Sequence, residues 1–240
     1  MYDFDSFRQA ITQKTRLYIL CNPHNPVGRV FTRDELEQIA KICLDHNLVI
    51  CSDDVHYGLV YPPYSYTPIA ALDAEIANRT ITLIAPSKMY NLPGLKLSMA
   101  IVQNPKIRAK IQSQLDNYPS SALGIVAATA AYRHGQNWLS QLLDYLDMSR
   151  KYIHNYLKMN IPQINMFLPE GTYLAWLSFK KLDLPQSPYE YLLKKAKVAF
   201  YDGRKFGEGG DGFLRLNFAC PRSILQESLE RIEKAVKYIN

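Results

Sequence analysis

The feature that most restricts the fold is a set of three short apolar runs, each followed at once by a turn-forming cluster with polar side chains. Arg16-Leu17-Tyr18-Ile19-Leu20 leads into Cys21-Asn22-Pro23-His24-Asn25-Pro26-Val27-Gly28-Arg29. Leu48-Val49-Ile50 leads into Cys51-Ser52-Asp53-Asp54-Val55-His56-Tyr57, and Thr80-Ile81-Thr82-Leu83-Ile84 into a Pro- and Gly-punctuated stretch from Ala85 to Lys96. Short runs rich in β-branched residues and bounded by Asn, Asp, Pro and Gly read as strands. After the first strand, Thr32-Arg33-Asp34-Glu35 opens a helix in which Thr32 can cap and Glu35 can close a capping box. Its apolar positions Leu36, Ile39, Ala40, Cys43 and Leu44 keep helical spacing. Strands alternating with such helices predict an α/β fold with a mostly parallel sheet. Ligands of open α/β sheets gather at the carboxyl ends of strands, where all three polar clusters fall.

A fourth strand is expected near Leu97–Val102, with helices at 105–117 and 121–134 and a long helix from about Asn137 to Met159. The pattern then changes. Thr172–Phe179 and Phe213–Phe218 read as strands with a helix at 187–197 between them, and a last helix starts at Ser223, where Ser223 and Gln226 match a capping box. This predicts a large-domain portion over residues 1–135 and a small α+β domain over 136–240.

The net charge of +6 raises nucleic acid as a partner, but Lys and Arg are scattered rather than gathered in a stripe, so none is expected. No apolar run approaches the roughly 20 residues of a membrane-spanning helix, so no membrane partner is expected. The opening Met1-Tyr2-Asp3-Phe4-Asp5-Ser6 is unlike an export signal, and Cys21, Cys43, Cys51 and Cys220 form no CxxC pair. A cytoplasmic setting with reduced thiols is therefore expected. None of the five histidines stands in a spacing such as HExxH, so no metal site is expected.

Several residues carry chemistry in their own right. Lys88 stands just past a buried strand, where burial can make an amine nucleophilic enough to form a Schiff base with an aldehyde cofactor; the bland alternative is a surface lysine in a loop. Asp53 is a turn or helix-capping aspartate or a carboxylate placed for a ligand, and Asp54 beside it could claim the same role. The Asn-Pro pairs at 22–23 and 25–26 are ordinary turn punctuation or a placed amide at Asn25, and His56 is a structural histidine or a ligand contact. Arg215 lies inside the apolar run Phe213-Leu214-Arg215-Leu216, where a guanidinium needs an anion, either a structural carboxylate or a substrate. The loop Gly207–Gly212 precedes a strand instead of following one, the wrong context for a dinucleotide fingerprint.

Taken in order, NPHNPVGR (22–29), SDD-x-H (52–56), APSK (85–88) and RLNFACPR (215–222) resemble the motifs of fold type I enzymes dependent on pyridoxal 5′-phosphate. More narrowly, the chain resembles the class I/II aminotransferase superfamily and its carbon–sulfur (cystathionine β-) lyase branch. The resemblance implies that Lys88 holds the cofactor and moves the substrate α-proton, and that Asp53 keeps the pyridine nitrogen protonated. It implies that Asn25 and His56 stand near the phenolic oxygen, that Ser87 and Lys96 reach the phosphate, and that Arg215 forks onto the substrate α-carboxylate. Lys96 occupies a place where many relatives have an arginine, and offers a point charge in place of a fork. Asp54 replaces the glutamate of the family pattern S-D-E-x-H. The implied reaction is β-elimination from cystathionine- or cysteine-type amino acids, giving pyruvate, ammonia and a thiol. Transamination to a 2-oxo acid is the alternative, and a non-catalytic binding protein of the same fold a further one. A homodimer is implied as well. The family's N-terminal stretch, with its glycine-containing phosphate loop and ring-stacking aromatic, has no match here, so sheet edges are expected to be exposed.

Overall fold

The computed structural model describes residues 2–115, 118, 120–237 and 239. The chain groups into two compact units. The first comprises the chain to Pro23 together with Val30–Ser140; the second comprises His24–Arg29 together with the chain from Gln141 onward.

In the first unit, α1 (Phe4–Ala10) precedes β1 (Leu17–Cys21), α2 (Arg33–Asp45), β2 (Val49–Asp53), α3 (Ala74–Arg79), β3 (Thr80–Ile84) and the single turn α4 (Pro86–Met89). Then come β4 (Met99–Val102), α5 (Pro105–Leu115), α6 (Ala122–His134) and α7 (Gln136–Asn160), which runs on into the second unit. The sheet order is β1-β2-β3-β4, with the first three strands parallel and β4 antiparallel to β3. The predicted α/β architecture with a mostly parallel sheet is therefore present. β1 and β2 reach Cys21 and Asp53, further than their apolar runs, because the ladder pairs those two residues in register.

The capping box at Thr32 forms as predicted, with the Thr32 hydroxyl accepting from the Glu35 amide and the Glu35 carboxylate accepting from Thr32. It starts α2 with Leu36, Ile39, Ala40 and Cys43 turned into a core that also holds Leu20, Leu48 and Ile50. The opposite face of β1 is open: Leu17 is 47% and Ile19 67% exposed on this edge strand. α5 is described to Leu115; positions 116 and 117 of the expected helix lie outside the described residues.

The second unit holds β5 (Asn165–Met166), β6 (Leu174–Ser178), α8 (Pro188–Lys195), β7 (Tyr201–Asp202), β8 (Phe213–Asn217) and α9 (Arg222–Val236). Its antiparallel sheet has the order β5-β6-β8-β7. α8 and α9 contribute buried Tyr191, Leu192, Leu225, Leu229 and Ile232, and the Tyr191 hydroxyl donates to the Ala235 carbonyl at 2.7 Å. The capping box expected at Ser223 is absent. Pro221, with its φ fixed at −55°, sets the entry to α9, so Ser223 already lies in the first turn. Gln226 instead bonds Glu230 one turn on. Among the described residues, no helix is long and apolar enough to cross a membrane.

Candidate active site

In the first unit the strand ends are laced together by two backbone hydrogen bonds. The Asn22 amide donates to the Asp53 carbonyl at 3.1 Å, and the Asp54 amide donates to the Leu83 carbonyl at 2.9 Å. These bonds gather the turn after β2 and the segment after β3 at the carboxyl end of the parallel strands. Asp53 thus stands in the same end layer as the segment that carries Ser87 and Lys88.

Lys88 is not in a loop, as its flanking Pro and Gly suggested; it sits in α4. Pro86 at the first helical position has its φ preset for a helix, and the Tyr90 amide closes the turn on the Pro86 carbonyl at 2.9 Å. The Lys88 side chain is half-buried and makes no hydrogen bond or ion pair among the described residues. Ser87 is its half-buried neighbour in the same turn. The turn after β2 packs on α4: a Cβ built on Gly58 would fall 2.1 Å from Met89 Sδ, so a larger residue there would have to displace the Met89 side chain. Lys96 is exposed, in a left-handed conformation (φ 49°) that ends the 3₁₀ turn Pro93–Leu95. The start of α6 holds this loop, with Gly124 close against the Leu95 carbonyl.

The adjacent carboxylates Asp53 and Asp54 differ in what surrounds them. Asp54 is fully buried and accepts from the Ser52 hydroxyl at 2.6 Å and from the Tyr66 hydroxyl. Burial pushes its pKa up to about 6, while the bonds from Ser52 and Tyr66 pull it down. Asp53 is half-buried and, among the described residues, accepts only a long 3.4 Å bond from the Val55 amide. Of the pair, Asp53 is therefore the carboxylate with accepting capacity to spare. His56 is buried at 4% exposure in the same turn, and its carbonyl accepts from the Leu59 amide.

In the second unit Asn25 meets Arg215. Both Asn-Pro peptide bonds are cis, and the loop closes on itself through the His24 amide to the Arg29 carbonyl at 2.7 Å and the Gly28 amide to the His24 carbonyl at 2.6 Å. The Gly28 carbonyl accepts from the amides of Glu170 and Gly171, which seats the loop on the segment before β6. Asn25 Oδ1 accepts from Arg215 Nη1 at 2.8 Å. The guanidinium lies over the rings of Tyr201 and Phe206, at 4.6 and 5.1 Å from their centroids. Its Nε is buried with no hydrogen-bond partner, and no carboxylate among the described residues pairs with it. Burial draws the Arg215 pKa down, and the nearby Tyr201 and Tyr173 act the other way.

Tyr66, Tyr201 and Phe206 were not visible as site residues in the sequence. Tyr201 pairs with Arg215 only once β7 and β8 align, and Tyr66 reaches Asp54 across a turn-rich segment without periodicity. Among the described residues, no group of three or more His, Cys, Asp or Glu is placed to hold a metal ion.

In the first unit a carboxylate ends β2 and a lysine follows β3; in the second, an arginine on β8 has no carboxylate partner among the described residues. The chain belongs to the aminotransferase class I and II family, whose model matches residues 1–232. Among its relatives is cystathionine beta-lyase PatB of Bacillus subtilis, 35% identical over 239 residues, an alignment covering 98% of this chain and 62% of that protein. Protein MalY of Escherichia coli is 34% identical over 232 residues, covering 93% of this chain and 58% of that protein. The crystal structure of cystalysin from Treponema denticola, which contains a pyridoxal 5′-phosphate cofactor, superposes with a TM-score of 0.94 at 36% identity, covering 99% of this chain and 61% of that one. The chain thus spans about three-fifths of the length of these relatives.

Proposed function

We propose that this chain carries the lysine-bearing part of a pyridoxal 5′-phosphate-dependent enzyme that cleaves a carbon–sulfur bond in cystathionine- or cysteine-type L-amino acids. The observation that carries the reading is Arg215: a partly buried guanidinium held by an amide and two rings, with a donor left over and no carboxylate partner among the described residues. A substrate carboxylate matches that demand, since a guanidinium binds it through parallel hydrogen bonds.

The residues present fit the cofactor. Among the described residues, Lys88 offers an amine without a competing ion pair, and Asp53 a carboxylate oxygen without another donor. When bound, pyridoxal phosphate supplies an aldehyde that reacts with amines and a ring that takes up the electron pair released at the substrate Cα. Asp53 holds a proton on the pyridine nitrogen. Asn25 and His56 serve the phenolic oxygen, and Ser87 and Lys96 serve the phosphate. Arg215 fixes the substrate carboxylate. Lys88 Nζ takes the proton from Cα as general base. The Cβ–S bond then breaks with its electron pair leaving on sulfur as the thiolate, and water completes the release of pyruvate and ammonia.

A second copy of the chain is part of the reading, supported by exposed Leu123 and Val126 on α6, at 73% and 68%. A cytoplasmic setting is part of it too. Incubation with cystathionine, followed by assays for pyruvate and free thiol, tests the reaction against 2-oxo acid exchange. Pyruvate and thiol are expected. Exchange alone would replace the lyase reading with the aminotransferase one.

A further inference from the structure

Ser52 and Asp54 are both fully buried, while Asp53 between them is half-buried on the opposite side of the strand end. The buried pair is closed: Ser52 donates to one Asp54 carboxylate oxygen at 2.6 Å and Tyr66 donates to the other. The backbone of Asp54 is held as well, its amide on the Leu83 carbonyl at 2.9 Å and its carbonyl taken by the Tyr57 amide at 2.9 Å. The Tyr66 ring in turn lies 5.8 Å from that of Tyr57. One carboxylate therefore ties the last residues of β2, the start of the next turn and a tyrosine twelve positions on into one buried node. Among the described residues Asp53 has no such support, its side chain making only the long bond to Val55.

We propose that Asp54 is a positioning residue: its bonds to Ser52 and Tyr66 lock the Asp53–Tyr57 turn and so fix where the Asp53 carboxylate stands. The inference rests on the reading that Asp53 meets the pyridine nitrogen of the cofactor. It gives the second aspartate a role that its neighbour cannot share, since Asp54 has both oxygens engaged in a buried network. Burial against an ionised carboxylate also makes Tyr66 harder to ionise, which keeps the donor in place.

The test uses the chain with pyridoxal phosphate labelled with ¹⁵N at the ring nitrogen, whose NMR shift reports protonation of that atom. Tyr66→Phe removes one hydroxyl and keeps the ring, so it is the variant least prone to unfold; Asp54→Asn is the second. Both are expected to move the ring-nitrogen signal part of the way toward its position in Asp53→Asn and to weaken cofactor affinity about tenfold, the scale of one hydrogen bond to a charged group. In the chain without cofactor, Tyr66→Phe is expected to speed amide exchange at Val55 and Tyr57 while leaving β1 and the core of β2 unchanged. If Asp53→Asn moves the nitrogen signal and neither other variant does, the positioning role is overturned and the reading of Asp53 stands. If Asp53→Asn itself leaves the signal in place, the reading of Asp53 fails. Unchanged amide exchange in Tyr66→Phe overturns the lock whatever the cofactor does.

Discussion

Arg215 Nη1 donates to Asn25 Oδ1 at 2.8 Å across 190 positions of sequence. The bond joins the Asn-Pro loop to the middle of β8 within the second unit, although the residues on either side of that loop belong to the first. It uses one guanidinium donor and leaves Nε buried without a partner. The arginine is held yet keeps donor capacity for the substrate carboxylate proposed above.

Arg215→Lys keeps the charge and loses the planar fork. With cystathionine as substrate, kcat/KM is expected to fall about 10²-fold, because a point charge cannot reproduce two parallel hydrogen bonds. Asn25→Ala strips the guanidinium of its one side-chain acceptor among the described residues and should cost about 1–3 kcal/mol of stability. Steady-state kinetics check the first expectation and urea unfolding the second.

Lys88 is the amine on which the proposed cofactor chemistry turns. Adding pyridoxal phosphate to the folded chain should give the visible absorption band of a Schiff base, and Lys88→Ala should abolish it. A band that survives in Lys88→Ala sinks the assignment.

The buried Asp54 carboxyl gives stability a sign with pH. Its native pKa of about 6 lies above the ordinary 3.8, so the folded state binds more protons than the unfolded one between those values. Asp54's contribution is therefore full below about pH 4 and is lost as pH rises through 6. From pH 4 to 7 the chain should lose roughly 3 kcal/mol more stability than Asp54→Asn, measured by urea unfolding at each pH. Tyr66→Phe removes a bond to the ionised form and should raise the Asp54 pKa further, seen in its ¹³C carboxyl titration.

Gly28 has a φ of +79°, and a Cβ there would stand 2.7 Å from the Cβ of Pro169. Gly28→Ala thus meets both a disfavoured backbone conformation and a clash with a rigid ring. A loss of about 1–3 kcal/mol in unfolding free energy is expected, with weaker turnover because the loop also carries Asn25.

The placement of much of the candidate site was legible because its residues follow strands that the sequence marks plainly. The runs at Leu17–Leu20, Val49–Ile50 and Thr80–Ile84 form strands, and the clusters behind them form the strand-end turns. The choice between Asp53 and Asp54 was open, since both are short acids in one turn. It is burial and two hydroxyls that separate them. The expected cap at Ser223 failed because a proline two residues earlier governs the helix entry more strongly than a matching serine.

The sequence by itself determined the strand-and-helix alternation, the capping box of Thr32 and the identity of the chemical groups behind each strand. These are local: they depend on side-chain periodicity, turn chemistry and hydrogen bonds a few residues long. Tertiary structure decided that Asn25 belongs with Arg215, that Tyr201 and Phe206 lie on the guanidinium, and that Tyr66 fixes Asp54. Those relations join residues far apart in the chain, and no local pattern encodes them. They arise when strand register and loop closure bring a donor within reach of an acceptor.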